Sequence, residues 1–250
     1  MRIAVIPARG GSKRIPRKNI KLFCGKPMLA YSIAAARDCG LFDKVIVSTD
    51  DDEIAAIAKN CGADVPFIRP AELADDYCVI ADVIKHAVEW CDTALLPVES
   101  VCCIYATAPL IAANDIVRGY NVFNQPGTRW VLAVTSFPFP IQRALRVNTD
   151  DCFEMISPEN QLVRSQDLED SYHDAGQFFW QGRAMALQQH RDENSGKNRV
   201  VVIPRFRVQD IDTEEDWLNT ELMYQVLEQR ALATAEAHSF LINREASQGE

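Results

Sequence analysis

Met1-Arg-Ile-Ala-Val-Ile-Pro-Ala-Arg9-Gly-Gly-Ser-Lys-Arg-Ile-Pro-Arg-Lys-Asn19 opens the chain, and the change of character inside it decides the fold. Residues 1–8 are an almost unbroken apolar run of strand length, which reads as a strand buried on both faces. A glycine pair, Gly10-Gly11, then interrupts it, and six Lys and Arg residues fall between Arg9 and Lys21. Parallel α/β sheets hold their ligands just beyond the carboxyl ends of their strands, which is where this segment lies. Gly10 and Gly11 let the backbone approach a ligand and turn N–H groups toward an anion. Arg9 offers a planar fork to phosphate oxygens, and Lys13 and Lys18 offer point charges. The segment is neither a Walker loop, GxxxxGK[ST], nor the dinucleotide pattern GxGxxG.

Working outward, strands and helices alternate. Helices are expected over Met28–Cys39 after Pro27, Asp51–Cys61, Val79–Cys91 and Asn114–Asn124, with apolar residues at i, i+3, i+4 and i+7. Strands are expected over Lys44–Ser48, Val65–Ile68, Val101–Tyr105 and Trp130–Ser136. This is the pattern of a mostly parallel sheet covered by helices on both faces. It breaks between 137 and 171, where short apolar pieces (Ala144–Val147, Phe153–Ile156) alternate with polar turns, as in a lid, a subdomain or a subunit contact. Strands return at Phe178–Gln181 and Val200–Pro204. Thr213 followed by Glu214, Glu215 and Asp216 marks a helix start. Residues 1–235 read as one domain, with 236–250 as a C-terminal tail.

A chain of 250 residues that is 48% hydrophobic has enough apolar surface for one large core. No apolar run approaches the roughly 20 residues of a membrane helix. The opening residues lack the order of a secretory signal, so a cytoplasmic protein is expected. Its eight cysteines show no CxxC pair and read as reduced, largely buried thiols. A net charge of −9 argues against nucleic-acid binding. An acidic protein that gathers its cations in one short segment has a small anion to hold there.

Two further motifs carry chemistry. In Asp210-Ile-Asp212 the alternate residues of an extended segment point the same way, so their carboxylates converge. Convergent carboxylates repel unless a cation lies between them. Beside a nucleoside triphosphate that cation is expected to be Mg²⁺, which takes one or two carboxylates and completes its shell with phosphate oxygens. The segment from Arg164 through Gln166 to Asp174 and Gln177 is crowded with directional polar groups beside Phe178, Phe179 and Trp180, which suits a polyhydroxylated, charged ligand. Of the four histidines, 86, 173, 190 and 238, none shows ligand spacing, and His86 reads as structural.

Taken in order, these segments resemble the CMP-sialic acid synthetase (acylneuraminate cytidylyltransferase) family. The resemblance rests on Ile6-Pro-Ala-Arg-Gly-Gly-Ser-Lys13 with Lys18-Asn19, and on Val47-Ser-Thr-Asp50 with Glu53-Ile-Ala55. Arg69-Pro-Ala-Glu-Leu-Ala74 with Asp76, Ala108-Pro-Leu110 and Asp210-Ile-Asp212 follow, so it spans about residues 1 to 230. Phe139-Pro-Ile-Gln-Arg-Ala144, Arg164-Ser-Gln-Asp167 and Tyr172-His-Asp-Ala-Gly-Gln-Phe178 resemble the members that act on pseudaminic acid.

The resemblance implies a Rossmann-like nucleotidyltransferase fold, a dimer formed through the excursion at 137–171, and transfer of CMP from CTP to a nine-carbon acidic sugar. Flagellin or surface-glycan modification is the implied destination of the product. Ala8, Arg9, Asn19 and Arg69 would hold the cytidine nucleotide, with Gly10 and Gly11 in the same loop. Ser12, Lys13 and Lys18 would hold the triphosphate. Asp210 and Asp212 would hold Mg²⁺, and Lys18 with these two acids would carry the catalysis. Arg164 would meet the sugar carboxylate, and Gln166, Asp174 and Gln177 its polar substituents.

Two departures bear on substrate. Tyr105-Ala-Thr-Ala-Pro-Leu110 replaces the Gln-Pro-Thr-Ser-Pro-Leu of sialate-activating members, and Tyr77-Cys-Val-Ile80 replaces the His-Thr-Gly-Thr of pseudaminic ones. The same reaction on legionaminic, sialic or 3-deoxy-octulosonic acid stays open, as does a nucleotide-binding regulator without catalysis.

Overall fold

The computed structural model describes residues 1–75, 77–187 and 197–246, with side chains as far as Ala231. Asp76, His190 and the side chain of His238 lie outside the described residues. The chain runs β1 (Arg2–Pro7), β2 (Leu22–Phe23), β3 (Lys26–Pro27), α1 (Met28–Asp38), β4 (Lys44–Ser48), α2 (Asp52–Asn60), α3 (Ile80–Thr93), β5 (Ser100–Ile104) and α4 (Ala113–Phe123). It continues through β6 (Thr128–Ser136), β7 (Leu145–Val147), β8 (Phe153–Met155), β9 (Tyr172–Gly182), α5 (Arg183–Ala186), β10 (Lys197–Val202) and α6 (Glu214–Ala246).

The main sheet has six strands in the order β10-β6-β9-β5-β1-β4. β1 pairs in parallel with β4 on one side and β5 on the other, and β10 pairs in parallel with β6. Only β9 runs against its neighbours, β5 and β6. The reason is the connection. After β6 no crossover helix carries the chain back; the 137–171 excursion returns it at the same end, so the next strand runs in reverse. Within that excursion β7 and β8 form a separate antiparallel pair.

Period-two alternation sends neighbours in β1 to different cores. Ala4 and Ile6 face α1, α2 and α4 through Leu29, Ile33, Ile54 and Ile116. Ile3 and Val5 face α3 and α5 through Ile84, Ala87, Val88 and Ala186. Cys102 and Cys103 divide between the same two cores, which accounts for the adjacent pair, and all eight thiols are free. His86 is likewise structural: its ring stands edge-on to Phe67 with centroids 4.6 Å apart, and burial pushes its pKa down.

Three expectations need correction or extension. Val65–Ile68 forms no strand. Asp64 alone bridges the β4 edge, donating to the Val45 carbonyl and accepting from Val47 N–H, after which Pro66 has no N–H to continue a ladder. β9 is longer than Phe178–Gln181 and carries a bulge. Its register passes from Leu132↔Phe179 to Val134↔Asp174, so Ala175–Phe178 stand opposite Ala133 alone, and Gly176 adopts φ 61° to allow it. Finally, α6 runs on to Ala246, through most of the segment set apart as a tail. No Gly or Pro occurs between Pro204 and Gly249 to stop it. Thr213 caps this helix as expected, and Asp216 completes a capping box by accepting from Thr213 N–H at 2.8 Å.

A third, smaller core joins the two ends of the chain. Ile15, Phe23, Met28 and Tyr31 pack with Ile211 and Trp217. The Phe23 ring meets Tyr31, Trp217 and Tyr224 edge-on at 5.5, 5.5 and 5.6 Å between centroids. Phe23→Ala empties the centre of this cluster. It is expected to destabilise the fold by about 3–5 kcal/mol, read from the guanidinium unfolding midpoint. A loss under about 1 kcal/mol would show that the cluster is not a tightly packed core.

Candidate active site

A cleft of about 540 Å³ opens at the carboxyl ends of β1 and β5, where a sheet of this class places its ligand. Its walls come from three stretches: Arg9 to Asn19, Arg69 to Val83, and Tyr105 to Thr107. Of the residues marked from the sequence, Arg9, Ser12, Lys13, Lys18, Asn19 and Arg69 line it. Ala8 does not reach it with its side chain; it is fully buried in the core at the end of β1.

The glycine pair works differently from expectation. Gly10 N–H donates to Asp50 Oδ1 at 2.9 Å, so its acceptor is a carboxylate of the protein itself. Its lack of a side chain has a packing cause instead. A Cβ at position 10 would lie 2.8 Å from Asp51 Oδ2, whereas one at Gly11 would meet open space. Asp51 is a busy group: it caps α2 by accepting from Ile54 N–H at 2.9 Å and takes a forked hydrogen bond from Arg17. The Arg17 bond holds the Asp51 carboxyl below the usual carboxylate range. Arg17 itself has φ 55°, a left-handed backbone that a non-glycine residue seldom adopts, and this fork fixes it. Asn19 braces the loop from inside, donating to the Arg9 carbonyl at 2.9 Å. Arg9 reaches across the cleft to donate to the Asp75 carbonyl at 2.8 Å.

Arg69 is the most unusual group on the wall. It is 4% exposed, and its Nε and Nη2 have no hydrogen-bond partner. Asp50 Oδ1 stands 3.8 Å away, and burial pushes the guanidinium pKa down. A buried cation with spare donors on a cavity wall is poised to meet a polar ligand.

The acid pair borders the same cleft although it lies at the far end of the sequence. Asp212 Oδ1 accepts from Arg14 Nη2 at 2.6 Å and stands 3.5 Å from Lys18 Nζ. Lys18 Nζ also donates to the Ile211 carbonyl. Lost water and the neighbouring Asp212 push the Asp210 carboxyl above the usual range. Asp174 is raised too, by lost water and then by Asp210. Asp210 and Asp174 therefore both sit where negative charge is unfavourable, whereas Asp212 has Arg14 and Lys18 beside it. Among the described residues no group of three or more His, Cys, Asp or Glu side chains could hold a metal alone. Two converging carboxylates fit Mg²⁺, which completes its shell from phosphate and water.

Asp174 also lines a second cavity, of about 380 Å³, with Val79, Trp130, Leu132 and Phe179; Ile80 and Tyr105 are common to both cavities. Gln177 lies in the β9 bulge, 3% exposed, and donates to the Arg207 carbonyl at 2.6 Å. Arg164 and Gln166 are not brought to the cleft. They sit on the 137–171 excursion, where Arg164 pairs with Asp167 at 2.7 Å in an exposed turn. Cys78, Ile80 and Tyr105, from the two segments marked as departures, line the cleft; Asp75 and Arg14 line it too, and the sequence reading gives them no role. Among the described residues no helix is long and apolar enough to cross a membrane.

Comparison with known proteins agrees with this geometry. A family model described as cytidylyltransferase matches residues 3–240. A pseudaminic acid cytidylyltransferase from Campylobacter jejuni is 41% identical over 90% of this chain and 96% of its own. A CMP-N,N'-diacetyllegionaminic acid synthase from Legionella pneumophila is 30% identical over 92% and 98%. Among solved structures, a CMP:2-keto-3-deoxy-manno-octonic acid synthetase complexed with CTP shares the fold, with TM-score 0.65 and 18% identity over 90% of this chain and 98% of that one. The chain belongs to the cytidylyltransferase family, whose members are CTP-dependent nucleotidyltransferases.

Proposed function

We propose that this enzyme transfers CMP from CTP to the anomeric hydroxyl of a nonulosonic acid, pseudaminic acid, releasing pyrophosphate. The observation that carries the reading is the convergence of Arg14 and Lys18, from the loop after β1, on Asp212, from the segment before α6. One cleft thus joins groups suited to a triphosphate with groups suited to its metal. The 41% identity to a pseudaminic acid cytidylyltransferase along nearly the whole chain supports the choice of sugar.

In the reaction the sugar hydroxyl oxygen attacks the α-phosphorus. A new O–P bond forms as the hydroxyl proton passes to solvent, the bond from the α-phosphorus to the bridging oxygen breaks, and pyrophosphate leaves with that electron pair. Ser12, Lys13 and Lys18 would hold the triphosphate, while Arg9, Asn19 and the spare donors of Arg69 fix the nucleoside end. Asp210 and Asp212 would hold Mg²⁺, which when bound neutralises phosphate charge and lowers the pKa of a coordinated hydroxyl. The protein contributes mainly alignment and charge placement. Asp174 lies near Asp210 and lines the cavity beside the cleft, on the side from which the sugar would enter.

Arg164 and Gln166 reach a sugar only if the 137–171 arm belongs to another subunit's site or folds over. We take residues 1–235 as one catalytic unit that dimerises through this arm. The arm's exposed Phe139, Leu145, Val147, Phe153 and Leu162, the last 93% exposed, form the apolar surface such a contact requires. We place the enzyme in the cytoplasm, where CTP is available and its free thiols stay reduced. The activated sugar would supply surface-glycan or flagellin modification.

Asp212→Ala is expected to lower turnover by about 100- to 1000-fold, measured as pyrophosphate release at saturating Mg²⁺ and CTP. A near-normal rate would remove the metal assignment. In a panel of pseudaminic, legionaminic, sialic and 3-deoxy-octulosonic acids, the first should be preferred; equal rates with all four would sink the sugar assignment. The wild-type chain should sediment as a dimer at micromolar concentration. Phe153→Glu combined with Leu162→Glu should shift it to monomer, and a wild-type monomer would refute the arm's role.

A further inference from the structure

One buried ion pair outside the cleft is wired to both carboxylate-bearing segments that border it. Asp115 sits in the first turn of α4 and is 2% exposed. Its Oδ2 accepts from Arg207 Nη1 at 2.5 Å, and its Oδ1 accepts from Arg118 Nη1 at 2.7 Å. Arg207 closes the short turn Arg205–Arg207, three residues ahead of Asp210. The same residue's carbonyl accepts from Gln177 Nε2 at 2.6 Å, and Gln177 belongs to the bulge that presents Asp174. One arginine therefore holds the approach to Asp210 and Asp212 by its chain connection and the β9 bulge by its carbonyl.

The anchor is rigid. Ile116 is fully buried in the core beneath α4. A Cβ on Gly119 would stand 2.7 Å from the Phe178 ring and 3.0 Å from Trp180, so α4 lies as close to β9 as its backbone permits. A carboxylate in the first turn is further favoured by the positive end of the helix. We propose that Asp115 and Arg207 are positioning residues that set the geometry of the acid pair and of Asp174 together, without touching any reacting group. Their effect on turnover rests on the role assigned above to Asp210 and Asp212.

The test uses Arg207→Ala and Arg207→Lys in the full chain. Arg207→Ala leaves Asp115 paired with Arg118, so no bare buried charge is created and the fold is expected to survive. Hydrogen exchange read on peptides covering 172–178 and 208–213 should rise in both segments in Arg207→Ala, while 9–19 stays unchanged. Turnover should fall about 100-fold, with KM for CTP within about threefold, because a small misplacement far from the chemistry is costly. Arg207→Lys keeps the charge and should recover about a tenth or more of the lost rate. Unchanged exchange in either segment would overturn the proposal, as would raised exchange with unaltered turnover. Exchange does not depend on which reaction the site performs. If Asp212→Ala kept full activity, the reading of the site would fall while the exchange result still decided the coupling.

Discussion

The site depends on holding together two segments from opposite ends of the chain. The loop from Arg9 to Lys21 is dense in positive charge, and the segment 210–212 is negative, but charge alone does not fix their geometry. Exposed ion pairs contribute about 0–1 kcal/mol, and Arg14 is two-thirds exposed. The apolar groups beneath do more. Phe23, Ile15 and Ile211 are completely buried and Trp217 nearly so. Burying each such side chain stabilises by about 1.5–3 kcal/mol. Ile211 lies between the two acids, so its burial turns Asp210 and Asp212 outward on the other side of the extended backbone. The acid pair is a consequence of where Ile211 packs.

The charges are then arranged to be exchangeable. In the free chain Asp212 is held by Arg14 and Lys18, and Asp51 by Arg17. These pairs differ in purpose. Asp51 also caps α2 and crowds Gly10, so Arg17 is committed to the scaffold and keeps a strained backbone in place. Asp212 carries no helix-capping duty of its side chain; that falls to Thr213 and Asp216. Cations of this loop thus differ in duty: Arg17 builds the cradle, while Arg14 and Lys18 meet an acid that has no side-chain capping role.

Much of this was legible in the sequence because it is local. The first strand, the helices at Met28, Asp52, Ile80 and Ala113, and the Thr213 cap follow from periodicity and capping chemistry within a few residues. What was not legible is set by pairings between distant segments. Val65–Ile68 has strand composition, yet Pro66 removes the donor that the β4 edge would need. β9 lies in the middle of the sheet because of how the excursion returns, which no residue of Phe178–Gln181 declares. Gly10 looked like an anion-binding glycine and is required instead by Asp51, from a different element. The candidate sugar ligands split for the same reason. Asp174 lines the adjoining cavity and Gln177 is buried in the β9 bulge against the Arg207 carbonyl, while Arg164, from the same polar segment, stays on the arm.

The two departures in the cleft wall fall where they alter one boundary. Ile80 and Tyr105 are shared by the nucleotide-sized cleft and the smaller cavity bearing Asp174, and Cys78 lines the first. Over residues 78–80 this protein presents a thiol and two branched apolar side chains. Of these side chains only the thiol can bond a ribose or sugar hydroxyl, and weakly; the hydroxyls on this boundary are those of Tyr105 and Thr107. Orientation must then come from these and from Arg9, Asn19 and Arg69 on one side and Asp174 on the other. Under the proposed function, a ligand in this cleft would be gripped at its two ends and packed against the apolar side chains between them. Discrimination by such side chains is by shape and is modest, about 1–3 kcal/mol per methylene-sized misfit. The polar ends, which leave a buried donor or acceptor unpaired when the wrong group arrives, therefore set most of the selectivity.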